Sequence, residues 1–282
     1  MKGMGEIMEE SLSYEGYTLV FEDKFEAEYL DRSLWNVELH EPGWVNQELQ
    51  EYVDSPENIR IQNSRLLLRP VKKIHRDGSI SYTSGRISTQ HKRDFTYGLF
   101  EARLKVPKGK GYLPAFWLMT TDEDRYGRWP ECGEIDIMEI WGSRTRTNHG
   151  TIHYGLPHQE TQGTVTLYKG DFAEEFHDFA LLWEPGLLRW YVDGRPFHEV
   201  RQWFSAGPDG MKKPYPAPFD HDMYIILNLA VGGNWVGYPD ETTNFEDAAF
   251  EAEFIRVYQK SQSSTEVATH GSDLFPGRKR NL

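Results

Sequence analysis

The chain has 282 residues, 38% of them hydrophobic, which suffices for a sizeable core within one domain. Lysines and arginines number 31 against 44 aspartates and glutamates, and the formal charge of −13 excludes a polyanionic partner such as nucleic acid or an anionic membrane surface. Aromatic residues make up 14%, including nine tryptophans and fifteen tyrosines, more than a core alone needs and suited to neutral ligands with apolar faces and hydroxyl edges, as sugars have.

In chain order, residues 1–16 are acidic, lack an apolar pattern and read as an N-terminal leader. They hold no signal-peptide core, which fits a cytoplasmic protein if Met1 is the native start and a secreted one if an export signal has been removed. No apolar run approaches the length of a membrane span. Tyr17–Phe21 is the first strand signal and Leu34–Val37 follows. Gly43–Gln50 is an aromatic, amide-rich loop whose composition suits a polar ligand better than a core. Short strand candidates come next at the intervals of an all-β sandwich: Ile59–Ile61, Arg65–Arg69, Ser84–Ser88 and Gly98–Val106. In the last of these Phe100, Ala102, Leu104 and Val106 share one face, and Glu101, Arg103 and Lys105 the other. The chain turns over Pro107–Gly111 into Pro114–Met119, a continuous apolar run that predicts a buried strand.

The stretch Cys132-Gly133-Glu134-Ile135-Asp136-Ile137-Met138-Glu139 then places three carboxylates within six residues of a β-branched run. In a regular strand Glu134 and Asp136 share a face, while Glu139 lies at an odd offset and turns away. A β-bulge around Met138 absorbs one residue and brings Glu139 back, giving one acidic face. Cys132 is the single cysteine, so the chain has no internal disulfide and no cysteine cluster of metal-ligand spacing. Thr147–Tyr154, Thr164–Tyr168 and Phe176–Trp183 are further strand candidates. Leu188–Val192 and Arg195–Val200 flank Asp193-Gly194, a dipeptide suited to a type I′ hairpin turn, and Pro196 lies either on an edge strand or just inside the start of its strand. Met223–Val231 and Phe250–Tyr258 are the closing strands, with Gly232–Trp235 as a loop between them. Residues 260–282 lose all pattern and read as a flexible C-terminal tail. With no internal repeat and no long helical periodicity, the prediction is an all-β fold, an antiparallel β-sandwich spanning residues 17–259.

Three carboxylates so placed admit three readings. Two carboxyl groups about 5 Å apart across a glycosidic bond make a retaining glycosidase. Three can hold calcium, which takes oxygen ligands. Solvated charges on the outside of an edge strand are the bland alternative. Trp44, Trp117, Trp141 and Trp235 recur near loops rich in Asn, Gln and Gly, and this lining favours a sugar cleft.

The run from Trp129 to Glu139 resembles the active-site strand of glycoside hydrolase family 16, in the bulged form of laminarinase-like endo-β-glucanases. The resemblance continues through Gly43–Gln50, Ser84–Ile87, Phe95–Gly98, Pro114–Trp117, Gly150–Tyr154, Arg189–Gly194 and Leu227–Trp235. It implies a β-jelly roll of two antiparallel sheets with a concave substrate cleft. The implied activity is retaining endo-hydrolysis of β-1,3-glucan, and of mixed-linkage β-1,3/1,4-glucan, by a monomer that needs no cofactor for catalysis. Carried onto this sequence, Glu134 is the nucleophile, Asp136 the assisting carboxylate and Glu139 the general acid/base, with His153 in support on a neighbouring strand. Trp44, Asn46, Arg86, Trp117, Trp141, Asn228 and Trp235 are the implied substrate-binding residues. A structural calcium is implied on the convex side, held by backbone oxygens near Lys24 and Ser64 and by a last-strand carboxylate. Here that carboxylate is Glu253, where Asp is common. Leu113 stands where family members commonly have Trp, so one aromatic platform is missing. Two alternatives stay open: a galactan hydrolase of the agarase, carrageenase or porphyranase type, and a non-catalytic β-glucan-binding protein, which would lack one or both glutamates.

Overall fold

The computed structural model describes residues 11–206 and 210–261, so most of the N-terminal leader and nearly all of the C-terminal tail lie outside the described residues. Among the described residues there is no helix; two eight-stranded sheets and one three-stranded sheet account for the regular structure. The cleft-bearing sheet runs Gln159–Thr166, Thr147–Tyr154, Glu134–Glu139, Tyr112–Thr120, Met223–Val231, Arg86–Ser88 and Asn36–Val37, with Asp94–Phe95 also on Met223–Val231. The outer sheet runs Arg195–Val200, Leu187–Val192, His177–Glu184, Gly98–Lys105, Phe250–Lys260, Leu66–Leu68 and Ile59–Ile61, with Tyr17–Asp23 on Phe250–Lys260. Every pair within these two sheets is antiparallel.

The core lies between the sheets because alternate residues of each strand turn inward. Phe100, Ala102 and Leu104 face Phe116, Leu118 and Ile135 in one apolar cluster. Phe100, Phe116, Phe179 and Phe250 are at most 1% exposed. Each such ring removed from water contributes about 1.5–3 kcal/mol. Met223–Val231 is buried along its whole length, since one face meets the core and the other lies under the residues that build the cleft.

The hairpin predicted at Asp193-Gly194 forms, with φ of 49° and 71° at the two turn residues, the left-handed pair a type I′ turn needs. Its second strand is the sheet edge, where Pro196 lacks no ladder partner on the open side. The last leader residues are not free: Leu12 N donates to Gly194 O, Tyr14 Oη donates to Glu101 at 2.5 Å, and the Tyr14 ring meets Tyr258 edge-on.

Of the residues implied for calcium, Glu253 directs one carboxylate oxygen to Arg65 Nη2 at 3.1 Å and the other to Arg103 Nε at 2.9 Å. Two guanidinium groups therefore neutralise this carboxylate and oppose a cation beside it. The Lys24 ammonium pairs with Glu22 at 3.4 Å.

Candidate active site

Glu134–Glu139 pairs with Tyr112–Thr120 on one side and Thr147–Tyr154 on the other, and both registers slip within it. Against Tyr112–Thr120, Met138 faces Phe116 and Asp136 faces Trp117, leaving Ile137 without a partner. Against Thr147–Tyr154, the register passes from Asp136↔Thr151 to Glu139↔His149, so Ile137 and Met138 together oppose Gly150. The bulge is thus the pair Ile137–Met138 rather than Met138 alone. Both side chains sink into the core with Ile135, each at most 1% exposed, and this drives Glu134, Asp136 and Glu139 onto the cleft side.

A bulge leaves backbone groups that the ladder cannot satisfy, and distant side chains serve them here. Asn148 Oδ1 accepts from Glu139 N at 3.1 Å, Asn148 Nδ2 donates to Ile137 O at 3.4 Å, and Trp190 Nε1 donates to Asp136 O at 2.7 Å. Gly150 makes room for that indole, because a Cβ there would lie 2.6 Å from the Trp190 ring. Asn148→Leu is expected to destabilise the fold by about 2–4 kcal/mol, since it orphans a buried N–H and C=O together. Denaturant unfolding measures this, and an unchanged midpoint would remove Asn148 from its bracing role.

Asp136 is 2% exposed and lies 3.3 Å from His153 Nε2. Burial pulls the His153 imidazole down, but the hydrogen bond and charge of Asp136 outweigh it and push the group up to about 9. Glu134 accepts a hydrogen bond from Trp129 Nε1 at 2.6 Å. Burial, then the charge of Asp136, push both Glu134 and Glu139 upward. The two then part. His153 and the Trp129 N–H draw Glu134 back towards its ionised form, whereas the largest influences on Glu139 are burial and the charges of Asp136, Glu134, Glu48 and Glu160, all of one sign. Of the two, Glu139 therefore holds a proton the more firmly.

These carboxylates open into a cleft of about 940 Å³. Trp44, Asn46, Arg86, Trp117, Asn228 and Trp235 all line it, as the sequence predicts. Arg86 is buried and paired with Glu38, and its guanidinium lies 4.9 Å from the Trp117 ring and 5.3 Å from the Trp44 ring. It braces two aromatic walls. Asn228 accepts from Trp117 Nε1 at 2.7 Å and donates to Tyr52 Oη at 3.1 Å, so its amide orients Trp117. Asn46, at a φ of 51°, receives Asn234 N on its carbonyl at 2.9 Å and ties two cleft loops together. Trp141 departs from expectation. It does not line the cleft but packs edge-on behind Trp235 at 5.3 Å and stacks on His149. The strand ends at Glu139, so alternation no longer sets the direction of Trp141.

The model of the family described as glycosyl hydrolases family 16 matches residues 44–247. The chain belongs to this family. A glucan endo-1,3-beta-glucosidase A1 of Niallia circulans is 36% identical over 267 residues, covering 87% of this chain and 38% of that protein. A glucan endo-1,3-beta-glucosidase of Cryptopygus antarcticus is 36% identical over 261 residues, covering 88% of this chain and 94% of its own length. The chain thus spans well under half of the first relative and nearly all of the second. The X-ray structure of an endo-beta-1,3-glucanase from Pyrococcus furiosus superposes with a TM-score of 0.73 at 36% identity, covering 88% of this chain and 97% of the other. The sandwich described above is accordingly the jelly roll of family 16.

Within this family 16 site, reading the sequence assigned no role to Trp129, Asn148 or Trp190. Trp129 stands five residues before Glu134, and that nearness to the acidic run was the available signal. Asn148 and Trp190 gave none, since each acts through a backbone atom on another strand. Leu113 is 9% exposed in a small cluster with Ala230 and Val236, and Trp141 packs against it. The floor is aliphatic at that point, and Trp235, 40% exposed, lines the same cleft and meets Trp141 edge-on. Cys132 is fully buried, and burial pushes its thiol up to about 12, so it is inert.

Proposed function

We propose that this family 16 chain is a retaining endo-β-glucanase that hydrolyses β-1,3-glucan and mixed-linkage β-1,3/1,4-glucan. The observation that carries the reading is two glutamates on one acidic face of the cleft with unlike neighbours: burial and Asp136 push both upward, and only Glu134 has an imidazole, His153, and an N–H donor, Trp129 Nε1, that draw it back. Glu134 attacks the anomeric carbon as Glu139 gives its proton to the departing glycosidic oxygen, and a glycosyl ester on Glu134 results. Glu139, now ionised, takes a proton from water as that water attacks the anomeric carbon, which releases the sugar with its original configuration and returns Glu134 to a carboxylate. Asp136 and His153 set the charge state of the pair. The names of both curated relatives support the 1,3-linkage.

The cleft charge favours a neutral polymer. Glu38, Glu48, Glu123, Glu134, Asp136, Glu139 and Glu160 line it against a single guanidinium, Arg86, which is already paired. A sulfated galactan would meet repulsion along this surface. A purely binding role would leave the unlike surroundings of Glu134 and Glu139 without use.

Digestion of laminarin, lichenan, cereal mixed-linkage glucan and agarose, with product sizing and early anomeric NMR, tests the proposal. Mid-length products of retained configuration from laminarin are expected. Inverted products, monosaccharide alone or cleavage of agarose only would overturn it. The electrostatics add a pH prediction. Glu139 must be protonated for the first step, so activity falls as pH rises through its pKa. Because the charge of Asp136 raises that pKa, Asp136→Asn is expected to move the alkaline limb of kcat/KM to lower pH. A limb that stays in place would detach Asp136 from the proton on Glu139.

A further inference from the structure

Beside the catalytic carboxylates, the hairpin that joins Thr147–Tyr154 to Gln159–Thr166 brings together three side chains of metal-ligating type. His153 and Glu160 are directly opposed across it, and His158 lies in the connecting turn. His153 Nδ1 is 2.9 Å from His158 Nε2 and 3.9 Å from a Glu160 carboxylate oxygen, and the three ligand atoms all lie within 4.8 Å of one another. A tetrahedral zinc ion with bonds of about 2.0–2.2 Å needs its donor atoms about 3.3 Å apart. The separations present bracket that value, so small side-chain shifts complete the geometry.

We propose that His153, His158 and Glu160 form a binding site for a borderline divalent cation, Zn²⁺, and that its occupation shuts off hydrolysis. Two imidazoles and one carboxylate select zinc over calcium or magnesium, which prefer oxygen donors. The second ring nitrogen of His153 faces Asp136 at 3.3 Å, the carboxylate–histidine arrangement that fixes a metal-bound imidazole and raises its basicity. His158 and Glu160 are exposed, so an ion has a path in, and the surplus of carboxylates in the cleft draws cations towards it. Zinc on Nδ1 of His153 takes the place of the proton that this nitrogen shares with His158. It also places a double charge next to the imidazole that pairs with Asp136. The Trp129 ring, whose N–H holds Glu134, packs 5.0 Å from His158 and 6.0 Å from His153, so the bound ion also constrains the donor to the nucleophile.

Calorimetric titration of EDTA-stripped, dialysed protein with zinc sulfate is expected to show one ion per chain, and calcium and magnesium chlorides no comparable binding. His158→Gln and Glu160→Gln should each weaken zinc binding by at least about 10-fold. Zinc should inhibit laminarin hydrolysis, EDTA should reverse it, and the half-inhibiting concentration should rise in each variant in step with the loss of binding, relative to that variant's own zinc-free rate. Equal zinc binding by wild type and both variants, or none by the wild type, would overturn the site. Site-specific binding without inhibition would overturn the shut-off. The inhibition arm rests on the hydrolase reading and the binding arm does not: a chain that failed to cleave laminarin without zinc would count against that reading, and calorimetry would still decide the site.

Discussion

Glu134→Ala is expected to lower laminarin hydrolysis by at least about 10,000-fold while oligosaccharides still bind, because the cleft walls remain and only the attacking carboxylate is gone. Removing the nucleophile leaves a space on one side of the anomeric carbon. A glucosyl donor with α-fluoride in that space mimics the missing intermediate, so the variant should join such donors to an acceptor without hydrolysing the product. Glu139→Ala should fall as far on laminarin for a different reason: the leaving oxygen receives no proton. An aryl glucoside whose phenolate leaves unaided should then restore the first step, and azide, which needs no general base, should restore the second. The contrast between the two variants is the diagnostic result. Turnover of laminarin by either within about 10-fold of wild type, with contamination excluded, would sink the assignment.

Deletion of Met138 is expected to destabilise the fold by at least about 3 kcal/mol and to lower laminarin hydrolysis. With one residue gone, Ile137 alone opposes Phe116 and Gly150, and Glu134, Asp136 and Glu139 fall at alternate positions, so regular alternation keeps Glu139 on the cleft side. What the strand loses is the buried Met138 side chain and the bulged backbone that Asn148 and Trp190 serve, and with them the set of Glu139 relative to Glu134. Met138→Leu keeps the residue count and approximate volume, so it should retain most activity and serves as the control. A deletion variant with wild-type melting temperature and wild-type hydrolysis would show that neither the fold nor the set of Glu139 depends on the bulge.

The sequence was most informative where the determining interactions are local. Period-two alternation located Gly98–Lys105 and Phe250–Lys260, and the demand for two left-handed residues located the turn at Asp193-Gly194. It was least informative where strands have no strongly apolar face. Gln159–Thr166 begins five residues before its predicted start at Thr164, because no residue of that strand is fully buried and five are exposed. The Val71–Ile74 and Ile80–Ser84 pair, joined around Asp77-Gly78, carries little apolar pattern for the same reason.

By itself the sequence determined that the protein is an all-β sandwich with three carboxylates on one face, since strand period and residue spacing are properties of neighbouring residues. Which of those carboxylates holds a proton was a tertiary decision. It rests on Trp129 and His153 reaching Glu134, and on Glu139 facing burial and like charges, several of them from other strands and loops. The bulge required the same help. Spacing in the sequence called for an extra residue, but only Asn148, Trp190 and the bare Gly150, brought in from across the sheet and from the opposite one, make its unpaired backbone stable where it stands.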